Sequence, residues 1–311
     1  MNTIKYQKIV IAGGTGYLGT VLARPFRFTC RRLVILTREA HADTDNIRFV
    51  QWDGKSPGDW CRELYDADAI INLCGKEVDC RYTAENRARL HASRLLPTRA
   101  LAQAVADCSV PPRVWLNASS ATIYRHADDG AQQEDNGAIG TGFSVELCCD
   151  WEEAFFRTET AATRKIALRT SFVLGRGDGA FKKLRALVTA GLGGRQGSGR
   201  QMVSWIHEQD FAWAVEWLIA NPHAEGAFNV TAPNPVRNAE MMRTIRNACG
   251  IPLGIAAPAW LLRWAARIIG TEPELMLKSR WVLPQKLTSG GFRFYYETLE
   301  HAVQDLVATR V

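Results

Sequence analysis

Short, nearly continuous apolar runs recur along the first half of the chain, separated by longer segments of helical period. Lys8–Ala12 is the first run. "RLVILTR", "NIRFVQWD", "ADAIINLCG", "RVWLNASSATIY" and "KIALRTSFVLG" follow it. Ile70–Leu73 shows no polar alternation, the pattern of a strand buried on both faces of a parallel sheet. Between the runs, "TVLARPF" begins a helix that Pro25 should end or kink early. "AENRARLHASRLLPTRALAQAVAD" reads as a long helix, and "FSVELCCDWEEAFF" (Phe143 to Phe156) as a third, continuing to about Thr163. Within it Leu147, Trp151 and Phe155 recur at helical spacing and should pack in the core. Strands alternating with helices predict an α/β fold, a doubly wound parallel (Rossmann) sheet covered on both faces.

After Gly175 the rhythm changes. "GLGGRQGSGR" holds five glycines in ten residues and reads as a mobile loop. "DFAWAVEWLIANP" is helical and "GAFNVTAP" a strand; the tail from Ala239 is mainly helical. Residues 1–175, with 203–232 returning to them, are expected to form the Rossmann domain. Residues 176–202 and 233–311 are expected to form a smaller C-terminal lobe on the substrate side, over the C-terminal edge of the sheet.

Composition narrows the function. With 311 residues, 47% hydrophobic and 23% charged, the balance is that of a globular protein. The first residues lack the apolar core and cleavage site of a signal peptide. The longest uncharged apolar stretch, "IPLGIAAPAWLL", is too short to span a bilayer and holds two prolines. A cytoplasmic protein with no membrane partner is expected. The net charge of +6 is too mild to argue for nucleic acid. Arg176 to Arg200 does hold six basic residues and one acid, Asp178. That cluster suits a small polyanionic ligand or a solvated basic face. The eight cysteines are scattered and form no C-x-x-C pair, so no metal site is expected.

The most specific motif is Gly13-x-x-Gly16-x-x-Gly19, between a strand and a helix. Gly13 permits the tight turn. Gly16 lets a pyrophosphate approach the backbone and the helix N-terminus, and Gly19 lets helix pack on strand. Thr15, Tyr17 and Leu18 belong to the same turn. At the end of the second strand, where NAD enzymes carry an acid for the ribose diol, this chain has Thr37 and then Arg38. A guanidinium there suits a 2′-phosphate, so NADP(H) is the expected cofactor, with Glu39 the feature that opposes it. Asp53, beside Trp52 in "QWDG", is placed for the adenine amine. Leu73, Cys74 and Gly75 would back the cofactor.

These features, with "SSATIY" after the fifth strand, resemble the extended short-chain dehydrogenase/reductases. The resemblance implies a catalytic hydroxyl at Ser120, cofactor contact at Ser119, Thr122 near the substrate, and Arg169 beside the substrate cleft. It also implies a Tyr-x-x-x-Lys pair on the next helix. With Glu152 as register mark, the Tyr slot is Ser144 and the Lys slot is Cys148. "LCCDWEEA", "GLGGRQGSGRQMVSWIHEQD", "FNVTAPNPVRNAE" and the tail "SRWVLPQKLTSGGFRFYYETLEHAVQDL" resemble an atypical branch, nucleoside-diphosphate-sugar epimerase-like, with its own uncharacterised C-terminal domain. With the pair absent, Tyr124 is the phenol left to donate a proton beside Ser120, and Cys148 is placed to face the nicotinamide at the substrate side. "His-x-x-Asp" at His207 and Asp210 reads as a structural turn with Asp210 capping the helix. The expected activity is NADP(H)-dependent oxidoreductase or epimerase chemistry on a nucleotide sugar or other carbonyl/alcohol substrate. An NADP(H)-binding sensor or scaffold without turnover is the other reading.

Overall fold

The computed structural model describes residues 3–160 and 162–308. In chain order the elements are β1 (Tyr6–Ala12), α1 (Tyr17–Thr29), β2 (Cys30–Thr37), β3 (Ile47–Gln51), β4 (Ala69–Asn72), α2 (Ala84–Ala106), β5 (Val114–Ser120), α3 (Phe143–Phe156), β6 (Arg164–Thr170) and β7 (Phe172–Leu174). There follow α4 (Ala180–Thr189), β8 (Met202–Val203), β9 (Trp205–His207), α5 (Glu208–Ala220), β10 (Gly226–Val230), β11 (Val236–Arg237), α6 (Asn238–Ala248), α7 (Ala259–Ile269), α8 (Glu274–Leu277), α9 (Gln285–Ser289) and α10 (Leu299–Val307).

Seven strands form one sheet in the order β10-β6-β5-β4-β1-β2-β3, with every pairing parallel. The chain winds outward from β1 through β2 to β3, then crosses to β4 on the other side of β1. That reversal opens a crevice at the C-terminal ends of β1 and β4, where doubly wound sheets bind ligands. One face is covered by α1 and α5, through Leu22, Phe26, Phe211 and Leu218. The other is covered by α2 and α3, through Leu101, Val105 and Phe155 against Trp115. Leu147 and Trp151 are buried too, as their spacing predicts. A separate core, built on Phe181, Trp205, Met242, Tyr296 and Leu299, lies in the C-terminal part.

Four local expectations change. Pro25 lies inside α1, which runs on to Thr29. Helix α3 stops at Phe156 rather than near Thr163. The sixth run breaks at Ser171: β6 stays in the main sheet, and β7 pairs with β9 instead. The glycine-rich loop is packed, not free: the Gly194 and Gly197 amides donate to the carbonyls of Ile255 and Ala257, and the Ala257 amide donates back to Arg195. Its basic neighbours also disperse. Arg176 pairs with Asp305 at 3.0 Å, while Lys183 reaches Glu77 and Asp79, each at 2.7 Å.

The His-x-x-Asp turn holds the two cores together. His207, rather than Asp210, caps α5, its Nδ1 accepting from the Gln209 amide at 3.1 Å. Asp210 is fully buried and accepts from the amides of Tyr295 and Tyr296 at 3.0 and 2.9 Å, fastening the C-terminal tail. The His207 ring stacks on Tyr296, with centroids 3.7 Å apart. Burial lowers the imidazole from 6.5 to about 4, although Asp305 acts to raise it. The folded protein therefore holds His207 neutral, whereas the unfolded chain protonates it below pH 6.5. As pH falls from 6.5 towards 4, the unfolded state binds the extra proton and stability drops, by about 3 kcal/mol once pH is below both values. Thermal unfolding of wild type and His207→Gln between pH 7 and 4.5 should show a steeper fall in wild type. Parallel curves would remove His207 from the acid sensitivity.

Candidate active site and cofactor groove

The turn after β1 is shaped by steric necessity. Gly13 has φ +75, and a Cβ there would come within 3.1 Å of the Cys74 backbone nitrogen. A Cβ on Gly19 would meet Gly14 backbone atoms at 2.4 Å. Gly19 thus packs α1 against the loop itself rather than against a strand. A Cβ on Gly14 would in turn meet the Ile35 side chain at 2.8 Å. Around Gly16 the space is open: a Cβ would meet only the Gly13 carbonyl, at 3.5 Å. No side chain caps α1 at Gly16, so its first amides remain for a ligand, with the positive end of the helix dipole behind them. The Tyr17 phenol turns elsewhere and donates to Glu208 Oε2 at 2.9 Å. Leu18 packs into the core beneath. These two residues contribute backbone at the helix start, not side chains.

A cavity of about 710 Å³ extends from this turn along the sheet edge. Gly13, Thr15, Gly16, Thr37, Arg38, Trp52, Asp53, Leu73, Cys74 and Gly75 all line it, so these predicted residues are brought together. Thr37 is buried and accepts from the Glu39 amide at 3.3 Å, which fixes the turn carrying Arg38. Asp53 Oδ1 accepts from the amides of Lys55 and Ser56, and these bonds hold the carboxyl below its ordinary range. One oxygen is thereby committed to the loop. Trp52 is buried edge-on against Trp60. Burial pushes the Cys74 thiol up to about 12, against the charge of Arg38, so it is an apolar wall rather than a nucleophile.

Sequence reading missed several groove residues. Lys55, Lys76 and Arg89 line the cavity beside Arg38. Arg89 is tied to Glu85 at 2.5 Å. Four cations thus face the acids Glu39 and Asp53 along one groove. Behind it, buried Asn72 donates to Asn117 and Thr98 and accepts from the Cys74 amide at 3.1 Å, fixing the loop after β4. A polar residue at the end of an otherwise apolar run was the available signal.

The second group of predicted residues divides. Ser120 is half-buried, and its Oγ accepts from the Thr122 amide at 3.2 Å, leaving its hydrogen to donate. Ser119 turns inward and donates to Glu152 Oε1 at 2.6 Å, away from the groove. Glu152 forms a bidentate pair with Arg169, Nε to Oε1 at 2.9 Å and Nη2 to Oε2 at 2.8 Å. Arg169 Nη1 donates to the Tyr124 hydroxyl at 2.8 Å, and that hydroxyl donates to Asn229 Oδ1 at 2.9 Å. Tyr124 is 1% exposed, and burial raises its phenol although Arg169 and Asn229 pull it down. The structure therefore withdraws Tyr124 from proton donation: its hydroxyl is spent in a core network. Burial opposes the charge on Arg169, and Glu152 more than restores it, so Arg169 is structural too. Cys148 is buried against Ala121, Ile123, Tyr124 and Val282, and burial pushes its thiol up to about 12. It is a packing residue.

What surrounds the empty Tyr and Lys slots was not predicted. Ser144 Oγ lies 3.2 Å from Tyr82 Oη and 3.1 Å from Glu274 Oε2. Lys278 Nζ donates to the Thr122 carbonyl at 2.8 Å and lies 3.6 Å from Glu274 Oε1. Arg280 Nε donates to Thr122 Oγ1 at 3.1 Å.

With a glycine cradle and a cationic groove at the topological switch of a parallel sheet, comparison with known proteins becomes decisive. Residues 9–231 match the model described as NAD dependent epimerase/dehydratase family. The chain belongs to that family. Residues 257–306 match a second model, a domain of unknown function (DUF1731), which contributes Glu274, Lys278 and Arg280 to the site. The chain is 33% identical over 296 residues to the epimerase family protein Mb2239 of Mycobacterium bovis, covering 95% of this chain and 96% of that one. Among solved structures, the human epimerase family protein SDR39U1 with NADPH superposes with a TM-score of 0.87 at 26% identity, covering 97% of this chain and 99% of that one. A nucleoside-diphosphate sugar epimerase from Corynebacterium glutamicum gives 0.76 at 26% identity, over 96% of this chain and 58% of that one. The glycine cradle and the cationic groove fit a nicotinamide dinucleotide, the cofactor that the family's description names. Among the described residues no helix is long and apolar enough to cross a membrane, and no cluster of metal-ligating residues occurs.

Proposed function

We propose that this protein is an NADP(H)-dependent oxidoreductase or epimerase-like enzyme acting in the cytoplasm on a carbonyl or alcohol carbon, with nucleotide sugars the leading substrate class. The observation that carries the cofactor choice is Arg38 at the groove, one residue beyond Thr37, where an acid would hold an unphosphorylated ribose. Lys55 lies on the same groove and adds a second cation for a 2′-phosphate. The NADPH in the human relative supports the same assignment. Bound, the cofactor supplies hydride transfer; the chain supplies position and protons. Ser120, with a free hydroxyl hydrogen at the end of β5, orients the substrate oxygen. Thr122, held by Lys278 and Arg280, shapes the same edge.

The sensor reading draws on one observation, the Ser144 and Cys148 that stand where a catalytic Tyr and Lys would. NADPH oxidation separates the two readings. Purified protein with NADPH, followed by the loss of the reduced cofactor's absorbance against a panel of nucleotide sugars, ketoses and simple carbonyls, is expected to oxidise it with at least one. No oxidation across the panel, with NADPH still bound tightly, would favour the sensor.

A further inference from the structure

We propose that Tyr82, Ser144 and Glu274 form a proton-transfer chain that replaces the missing Tyr-x-x-x-Lys pair, with Lys278 and Arg280 supplying its positive charge. The inference rests on the oxidoreductase reading above and adds the proton path to it.

The placement comes first. Ser144 opens α3 at the slot where the Tyr-x-x-x-Lys register would place a phenol. Its small side chain leaves that space to Tyr82, from the loop after β4, and to Glu274, from the C-terminal domain. The loop carrying Tyr82 begins at the groove wall, Leu73–Lys76. It is strapped down by the C-terminal domain: the Tyr82 amide donates to Glu272 Oε1 at 2.8 Å, and Arg81 pairs with the same carboxylate at 3.4 Å. Phe143 packs edge-on against the Tyr82 ring, centroids 4.8 Å apart. The phenol is thus positioned from two domains.

The hydrogen bonds then provide a path. The Ser144 hydroxyl has one hydrogen and two neighbours, Tyr82 Oη at 3.2 Å and Glu274 Oε2 at 3.1 Å. The hydrogen serves one of them at a time: turned to Tyr82 it donates to the phenol oxygen, and turned to the carboxylate, which only accepts, it leaves Ser144 Oγ to accept from the Tyr82 hydroxyl. In the second arrangement the order, phenol to hydroxyl to carboxylate, carries protons away from Tyr82 Oη. Glu274 lines a second cavity, of about 640 Å³, which also reaches Lys278 and gives the chain an outlet to solvent.

The cations complete the parallel. Lys278 sits between Glu274 and the Thr122 carbonyl. Arg280 is buried, and its side-chain bonds go to Thr122 Oγ1 and to the carbonyls of Leu275 and Lys278 rather than to a carboxylate. Both Arg280 and buried Arg94 lie within electrostatic reach of Tyr82. Burial raises the Tyr82 phenol, as do Glu274, Cys80 and Glu272, while a Ser144 hydroxyl turned to donate to the phenol oxygen acts the other way. The phenol therefore keeps its proton at neutral pH until substrate arrives.

With the oxidised cofactor bound, it would supply hydride uptake from the substrate alcohol, whose O–H electron pair would become the second bond of the carbonyl. The released proton passes to Tyr82 Oη, the Tyr82 proton to Ser144 Oγ, and the Ser144 proton to the Glu274 carboxylate. Solvent in the outer cavity then takes it from Glu274. Reduction runs the same path backwards, with Glu274 first protonated from solvent.

Two measurements test this. In protein labelled with [13Cζ]-tyrosine, the Tyr82 resonance, assigned with Tyr82→Phe, should titrate above the ordinary tyrosine midpoint. Glu274→Gln should lower that midpoint by about one unit; no change would overturn the chain without reference to cofactor or substrate. In NADPH oxidation with whichever panel carbonyl is turned over, Tyr82→Phe should lower kcat by about 10²-fold with KM for NADPH unchanged. Ser144→Ala should lose about 10-fold and Ser144→Thr should recover it. Equal rates in wild type and Tyr82→Phe overturn the chain and leave the oxidoreductase standing. Absence of any oxidation by wild type overturns the oxidoreductase, and the chain as a catalytic device with it.

Discussion

Arg169→Ala is expected to destabilise the fold by about 3–5 kcal/mol, because it strips the partner from a buried carboxylate. The side chains of Arg169 and Glu152 are 12% and 11% exposed, and their two hydrogen bonds are parallel and short. Without the guanidinium, Glu152 keeps only the Ser119 hydroxyl, and the Tyr124 hydroxyl loses a donor. The pair joins β6 to α3 and holds the end of β5, so the damage should also loosen Ser120. Glu152→Gln with Arg169→Met, which removes both charges, should lose less than Arg169→Ala alone, since no unpaired ion remains. Urea unfolding of the three variants gives the comparison. A loss below about 1 kcal/mol for Arg169→Ala would mean that the pair behaves like a surface ion pair.

The second large effect separates structure from binding within one motif. Gly19→Ala should cost about 3 kcal/mol, because its methyl would overlap Gly14 backbone atoms at 2.4 Å, and backbone cannot move aside as a flexible side chain can. Gly16→Ala should leave the melting temperature nearly unchanged. Its φ is −74, and the added methyl finds only the Gly13 carbonyl, at 3.5 Å. It should nonetheless weaken dinucleotide binding by about 10-fold or more, since the methyl would stand where the pyrophosphate must approach the amides. Thermal melts and nucleotide titrations of both variants decide this. A stable Gly19→Ala, or a Gly16→Ala that binds normally, would break the division of roles.

Much of the fold is legible because it rests on short-range rules. Apolar runs buried on both faces, a glycine loop between strand and helix, and alternation of strand with helix leave few topologies open, and the cofactor groove follows from the strand ends. The break at Ser171 was hidden because β6 and β7 read as one apolar run; only their partners, β5 and β10 against β9, differ. The glycine-rich loop misled for a related reason. Five glycines permit mobility, but the bonds to Ile255 and Ala257 come from residues some sixty positions later.

The proposed proton path was illegible for the same physical reason. Tyr124 is the nearest phenol to Ser120 in sequence, yet the chain direction after β5 turns it into the core, where Arg169 and Asn229 take its hydroxyl. Tyr82, Ser144 and Glu274 meet from three elements far apart in the chain. No local pattern announces such a meeting. The vacant Tyr slot at Ser144 was the one signal in the sequence that something else must fill the space.

On the proposed reading, the groove at the ends of β1, β2 and β4 holds a phosphorylated nicotinamide dinucleotide, with Arg38 on the 2′-phosphate. Titration of NADPH and NADH into wild type and Arg38→Ala at fixed ionic strength tests it most directly. The account predicts clearly tighter NADPH binding in wild type, and in Arg38→Ala a loss for NADPH of about 1–3 kcal/mol with NADH little changed. Identical curves for the two cofactors in wild type, or equal losses for both in the variant, would contradict it.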